Sequence, residues 1–162
     1  MESVYEQVKA FKKRYPLTIA WRLKAHSKVI EKHLNPEEEV FYVFCAQKND
    51  SVFNIFTTCI VAITSKRIMI AQKRPLIGYY FTSITPDLFN DLKVHTGLFY
   101  GKVYIDTVKE FTCFSNLQLK SLPEIETNVT EYVMREKKKQ RLHDYFMKSL
   151  YRGVPRKDTP YF

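Results

Sequence analysis

Glycine is scarce in this chain of 162 residues, with only Gly78, Gly97, Gly101 and Gly153 present. None falls in a GxGxxG or Walker-type arrangement, whose exposed backbone amides cradle phosphates, so a dinucleotide or P-loop fold is disfavoured. Cysteine is as sparse. Cys45, Cys59 and Cys113 stand far apart, form no CxxC pair and sit among apolar or β-branched neighbours, as in Phe44-Cys45-Ala46 and Thr58-Cys59-Ile60. They read as reduced core thiols, because a reactive cysteine needs an electropositive and partly exposed setting. Long apolar runs are missing too. The longest uncharged stretch, Ser51 to Ser65, has fifteen residues; as a helix it would reach about 22 Å against a hydrocarbon core of roughly 30 Å. The opening residues, Met1 to Tyr15, are charged and helical rather than an apolar leader, so the expected location is cytoplasmic. Asn49-Asp50-Ser51 and Asn128-Val129-Thr130 fit the glycosylation pattern and are read as chance matches.

Acidic residues are in deficit, 17 against 26 Lys and Arg, for a formal charge of +9. The surplus lies at the two ends. Residues 1–35 hold eight bases and three acids, 36–115 eight of each, and 116–162 ten bases and six acids. Such ends suit an anionic membrane or a nucleic acid. They suit solvent equally well, since Lys12-Lys13-Arg14 and Lys137-Lys138-Lys139 fall where helices with one apolar face are expected, and such runs are ordinarily the wet face.

What is present is aromatic and β-branched material, with twelve Phe and eleven Tyr. Residues 3–14 read as a short helix stopped near Pro16. A second helix is expected from Leu17, with Ala20, Leu23, Ser27, Ile30 and Leu34 on one stripe and Arg22, Lys24, Lys28 and Lys32 mostly off it. Asn35-Pro36 and Glu37 to Glu39 close it. From there to Ser115 short runs alternate with turn residues, which predicts seven antiparallel strands: Val40 to Ala46, Ile55 to Thr64, Arg67 to Gln72, Tyr79 to Ile84, Leu92 to Leu98, Lys102 to Thr107 and Lys109 to Phe114. In the sixth, Val103 and Ile105 should face the core while Lys102, Tyr104 and Asp106 face water. The second and third strands are apolar on both faces and need cover on both sides. Ser65-Lys66 and Tyr100-Gly101 are the expected tight turns. Leu122, Ile125, Val129, Tyr132 and Val133 form a final helical stripe, opened by Ser121 as N-cap with Glu124 three residues on. That helix should reach the basic stretch and run to Leu150, with Gly153, Pro155 and Pro160 marking a loose tail.

Seven short strands followed by one amphipathic helix is the layout of the pleckstrin-homology fold. The residues themselves carry a resemblance: Leu34-Asn35-Pro36-Glu37-Glu38, then Ile60 to Ile68 with Thr64-Ser65-Lys66-Arg67 at its turn, then Tyr80-Phe81-Thr82-Ser83-Ile84. In order and spacing they resemble bacterial pleckstrin-homology-like (PH-like) proteins of the YokE-like branch, with Ser65 where asparagine is common. The similarity covers roughly residues 34 to 135. It implies an α+β fold, a bent seven-stranded antiparallel half-barrel capped by a C-terminal helix and preceded by an N-terminal helical extension, with no catalytic constellation and, in some members, self-assembly. The organisation expected is therefore 1–35 helical extension, 36–150 PH-like domain with its helix, and 151–162 flexible tail.

In that fold the first-second, third-fourth and sixth-seventh loops share one open end, which would bring together Lys48, Lys73, Arg74 and Lys109 as an anion site. Asp50, Asp106 and Glu110 would partly neutralise it. Gln47 to Ser51 holds one base beside one acid, so the polyphosphate chemistry of eukaryotic relatives is not carried over. Trp21, Tyr79 and Tyr80, with Phe41, Tyr42, Phe99 and Tyr100, are contact candidates weighed against core packing. His26 and His33 lie about 10 Å apart along one helix, too far to share a metal. No metal, cofactor, GxSxG elbow or specific nucleic-acid motif is read. The chain is expected to be a non-catalytic module acting through protein contacts, its own copies included. The alternative is a peripheral binder of anionic membrane or nucleic acid through its basic ends.

Overall fold

The structure, a computed structural model, describes residues 2–152; the expected tail with Gly153, Pro155 and Pro160 lies outside the described residues. Helix α1 (Val4–Arg14) begins at a capping box in which Ser3 and Glu6 exchange side-chain and backbone hydrogen bonds, and it buries Val4, Val8 and Phe11. Helix α2 (Leu23–His33) follows, then β1 (Val40–Gln47), β2 (Thr58–Thr64), β3 (Ile68–Lys73) and β4 (Tyr79–Ile84). A 3-10 turn over Pro86–Leu88 leads to β5 (Phe89–Thr96), β6 (Tyr100–Thr107) and β7 (Phe111–Gln118), and a second 3-10 turn opens α3 (Leu122–Arg152). All seven strands pair antiparallel in the order β4-β3-β2-β1-β7-β6-β5. The bend falls where β1 meets β7, since a single residue pair, Gln47 with Ser115, joins the two halves there.

The central strand β2 is covered on both faces from within the chain. Every residue of β2 is buried, as the two-sided apolar pattern demands. The two N-terminal helices pack on β1, β2 and β3, and the first half of α3 packs on β5, β6 and the two 3-10 turns, burying Leu122, Ile125, Val129, Tyr132 and Val133. Val103 and Ile105 are fully buried, as their alternation predicts.

Four local expectations are corrected. Helix α2 starts at Leu23 rather than Leu17, because residues 16–18 turn and the segment to Trp21 is tied to β7 and β2: Ile19 N–H donates to the Asn116 carbonyl, Leu17 N–H to the Gln118 side chain and Trp21 N–H to the Thr58 hydroxyl. Asn116 lies in the left-handed region (φ 58°), which asparagine tolerates better than most residues, and its register irregularity frees that carbonyl. Strand β2 starts at Thr58 rather than Ile55, since Asn49 and Asn54 capture the preceding backbone in local turns. The turn between β5 and β6 spans residues 97–99, and Gly101 sits inside β6, where a Cβ would lie 2.3 Å from Leu122 Cδ1. Ser121 does not cap α3: its hydroxyl donates to the Gln118 carbonyl, and Glu124 turns to Arg14 and Tyr15 instead. The Ser65-Lys66 turn forms as expected. Neither residue takes a positive φ, so serine there forfeits nothing that asparagine would supply.

Candidate functional site

At one end of the half-barrel two loops and the segment before α2 come side by side. The β1–β2 loop is shaped by its own polar side chains. Asn49 accepts from Ser51 N–H and donates to the Asn54 carbonyl and Thr57 hydroxyl, while Lys48 N–H closes the loop on the Thr57 carbonyl at 2.9 Å. The β3–β4 loop is closed by Arg74 N–H on the Gly78 carbonyl at 3.1 Å, with Gly78 at φ 82°, a conformation that favours glycine. Trp21 ties the N-terminal segment to the first loop through its indole N–H, 2.9 Å from the Ile55 carbonyl. A hollow of about 350 Å³ lined by Trp21, Arg22, His26, Phe56, Thr58, Lys73 and Pro75 joins all three pieces.

Both loops are closed by local hydrogen bonds, and their apolar residues are left exposed. Phe53 is 91% exposed, Phe56 83%, Leu76 93% and Ile77 83%. Four large apolar side chains on two adjacent loops gain nothing from folding. Exposed apolar side chains of this size stand out at this end of the sheet.

The bases around it are not neutralised in place. Asp50, expected to offset them, is bound elsewhere: its carboxylate takes Lys102 Nζ at 2.6 Å and the Tyr104 hydroxyl at 3.1 Å, which also pins the first loop to β6. Among the described residues no ion pair engages Arg22, Lys48, Lys73 or Arg74. Arg74 leans over the Tyr80 ring at 5.4 Å, and Lys32 over Tyr79 at 5.1 Å. Lys73 is fixed from both sides of its backbone, its N–H donating to His26 Nδ1 at 2.7 Å and its carbonyl accepting from Arg22 at 3.4 Å.

Of the four expected anion-binding bases, Lys48, Lys73 and Arg74 belong to this end. Lys109 stands apart. It lines a separate hollow with residues 81–84 of β4 and Leu88, because Val108 N–H bonds the Leu88 carbonyl and draws the β6–β7 turn to the far end of β4. Trp21, half exposed, forms part of the site, whereas Tyr79 and Tyr80 flank it on β4. Phe53, Phe56, Leu76 and Ile77 were missed in the sequence, although a legible signal exists: apolar residues set inside Asn/Ser-rich and Pro-Gly turn stretches.

Burial pushes the Cys45 thiol up to about 12 and Cys59 higher still, and half-buried Cys113 is raised to about 11, first by burial and then by the Asp50 carboxylate. Among the described residues no group of three His, Cys, Asp or Glu could hold a metal ion, and no helix is long and apolar enough to cross a membrane.

A bent seven-stranded antiparallel sheet with a C-terminal helix and a loop-bearing open end defines a module of the pleckstrin-homology type. A family model described as bacterial PH domain matches residues 34–131, and the chain belongs to that family. A crystal structure of a pleckstrin homology domain from Shewanella amazonensis SB2B is similar at 14% identity, covering 70% of this chain and 89% of that one with a TM-score of 0.45. No curated protein matches.

Proposed function

We propose that this protein is a non-catalytic binding module that docks on an anionic membrane surface through the open end of its half-barrel. In this reading Phe53, Phe56, Leu76 and Ile77 enter the lipid, and Arg22, Lys48, Lys73 and Arg74 meet the headgroups. The observation that carries it is the pairing of four outward apolar side chains with bases that have no acidic partner at the same end. Burying each such side chain contributes about 1.5–3 kcal/mol, and each base near an anionic surface about 1 kcal/mol. Association costs on the order of 4–15 kcal/mol, a range that the two sets together meet more fully than either alone, so losing part of either should weaken binding. A cytoplasmic location belongs to the same proposal, since three unpaired cysteines suit a reducing compartment. The YokE-like placement within the family rests on the motifs at Asn35 to Glu38 and Thr64 to Arg67.

Co-sedimentation with vesicles tests this. The protein should pellet with phosphatidylserine-containing vesicles and stay in solution with pure phosphatidylcholine. Both F53S/L76S and K73E/R74E should weaken pelleting while leaving the circular dichroism spectrum intact. Unchanged pelleting of either variant, or none by the unaltered protein, refutes the reading.

A second reading, contact with a partner protein or a second copy, is favoured by the projecting half of α3. The last sheet contact of that helix among the described residues is Lys137 on the Phe89 carbonyl, and beyond it Leu142, Tyr145, Phe146, Leu150 and Tyr151 are exposed. Residues 134–152 also hold seven bases against two acids, so two copies aligned there would repel. An acidic partner fits better. Light scattering at low and high salt separates the cases: a mass above the monomer that persists in salt would favour self-contact.

A further inference from the structure

The outward side of α3 mixes apolar and basic residues in one row. Met134, Lys138, Leu142, Tyr145, Ser149 and Arg152 follow one another at steps of three and four, so they share one side of the helix over about 27 Å. All six are exposed. Their side lies about half a turn around from the buried Ile125 and Val129, so the sheet cannot cover it. Met134, Lys138, Leu142 and Tyr145 line a shallow hollow with Arg135 and Arg141, open to solvent. Every lining residue belongs to α3, so the hollow has a floor and no opposing wall. A small molecule, which needs most of its surface enclosed, gains little there. A second helix laid alongside supplies the missing wall.

The charges on this helix sort the occupants. Residues 134–152 hold only two acids, Glu136 and Asp144. Glu136 is on the sheet-facing side and holds Arg135 at 3.4 Å and Lys139 at 2.9 Å. Asp144 borders the row beside Arg141 and Lys148, yet among the described residues no ion pair engages it, nor Lys138, Arg141, Lys148 or Arg152. A helix lying in a bilayer surface keeps its bases opposite its apolar face, whereas Lys138 stands inside this row and Phe146, Leu150 and Tyr151 are exposed on other sides. A second copy would bring the same surplus of bases against itself. A purely apolar helix would bury Lys138 without a counter-charge, which is costly. A helix with carboxylates set among its apolar residues answers both groups at once.

We infer that this row docks an acidic amphipathic helix of a partner protein, its apolar side chains seated on Met134, Leu142 and Tyr145 and its carboxylates paired with Lys138 and Arg141. The inference rests on the reading of the projecting half of α3 as a contact surface. The row lies beyond the family-matched residues 34–131, so it is a property of this chain rather than of the shared domain.

Fluorescence anisotropy tests it, with the full chain titrated into a labelled synthetic peptide of Leu, Glu and Ala that repeats its Leu at heptad spacing. Saturable binding is expected at physiological ionic strength, at least about tenfold tighter than to a scrambled peptide of the same composition, since only the ordered peptide presents both sets of groups on one side. K138E/R141E and L142S/Y145S should each lower affinity about tenfold or more with unchanged thermal melting. K24E/K28E, an equal charge change on α2, should leave it within about twofold, because long-range charge alone is screened. Equal binding of the scrambled peptide, lost in K138E/R141E, overturns the helical occupant while the acidic contact on α3 stands. Absence of binding to either peptide overturns both. A mass above the monomer that persists in high salt and disappears in L142S/Y145S assigns the row to a second copy and overturns the inference. A single-stranded oligonucleotide bound more tightly than the ordered peptide, and lost in K138E/R141E, overturns it as well.

Discussion

The Glu38 carboxylate takes the Arg67 guanidinium side-on, Oε1 3.0 Å from Nε and Oε2 3.1 Å from Nη2. The Thr64 hydroxyl donates to the same carboxylate at 2.6 Å, and Asn35 N–H does so at 3.2 Å. Arg67 in turn reaches the His33 carbonyl at 2.8 Å and the Ser83 hydroxyl at 3.4 Å. Asn35, Glu38, Thr64, Arg67 and Ser83 are drawn from the three stretches that carry the family resemblance. Those motifs therefore mark a structural lock joining the end of α2, the β2–β3 hairpin and β4, rather than a ligand site.

Removing one partner from this lock should be costly. R67A leaves a buried carboxylate without its cation and should destabilise by about 3–5 kcal/mol, whereas E38L/R67M, which removes both charges, should recover most of that loss. Urea denaturation measures both. Burial by itself would raise the Glu38 carboxyl, but bonds from Arg67, Thr64 and Asn35 outweigh it and hold the group below its ordinary range. Its contribution is present above the unfolded value near pH 4.3 and is lost as pH falls through the lower folded value.

His26 supplies a second, separate pH dependence. Burial, then the charge of Arg22, lowers this imidazole to about 4, and its neutral Nδ1 accepts the Lys73 N–H. The unfolded chain protonates near pH 6.5 while the folded one does not, so stability should drop from pH 6.5 to about 4 and level off below. At about 1.4 kcal/mol for each pH unit, the drop amounts to about 3 kcal/mol. H26N keeps an acceptor for Lys73 N–H and should flatten the profile over that window; an unaltered slope would sink the assignment.

Gly101 and Leu122 should behave as a coupled pair. A methyl group at 101 would collide with buried Leu122, so G101A should cost about 1–3 kcal/mol. In an L122A background the same change should cost far less, and that non-additivity, read from a double-mutant cycle, is the diagnostic.

Thiol labelling should resolve the cysteines by environment. Cys45 and Cys59 should react only on unfolding, and Cys113 slowly in the folded protein, its Sγ lying 3.6 Å from Asp50 Oδ1. D50A removes a negative charge that raises this thiol and unpins the loop over it. Labelling of Cys113 should therefore accelerate severalfold, and no change would contradict the described clamp.

Much of the frame was legible because strand patterning and short motifs are local properties. The two-sided apolar run of β2, the alternation of Val103 and Ile105 and the stripe from Leu122 to Val133 each report how a segment must be buried, and each is buried so. The candidate site was legible only in part. Lys48, Lys73 and Arg74 could be placed by loop order, but Lys109 could not, since one hydrogen bond from Val108 to Leu88 decides where its turn rests.

By itself, then, the chain determined its strand count, its covered central strand and its family, because periodicity and turn chemistry act over a few residues. Tertiary structure alone decided that residues 17–21 leave the helix to bond with β7 and β2, that Gly101 is a packing contact, and that Asp50 serves Lys102. It also decided that the lysines of α2, indistinguishable in sequence from a wet helix face, border a groove completed by Lys73. Each of these depends on groups distant in sequence competing for the same backbone donor, volume or charge, and that competition is settled only when the chain has closed on itself.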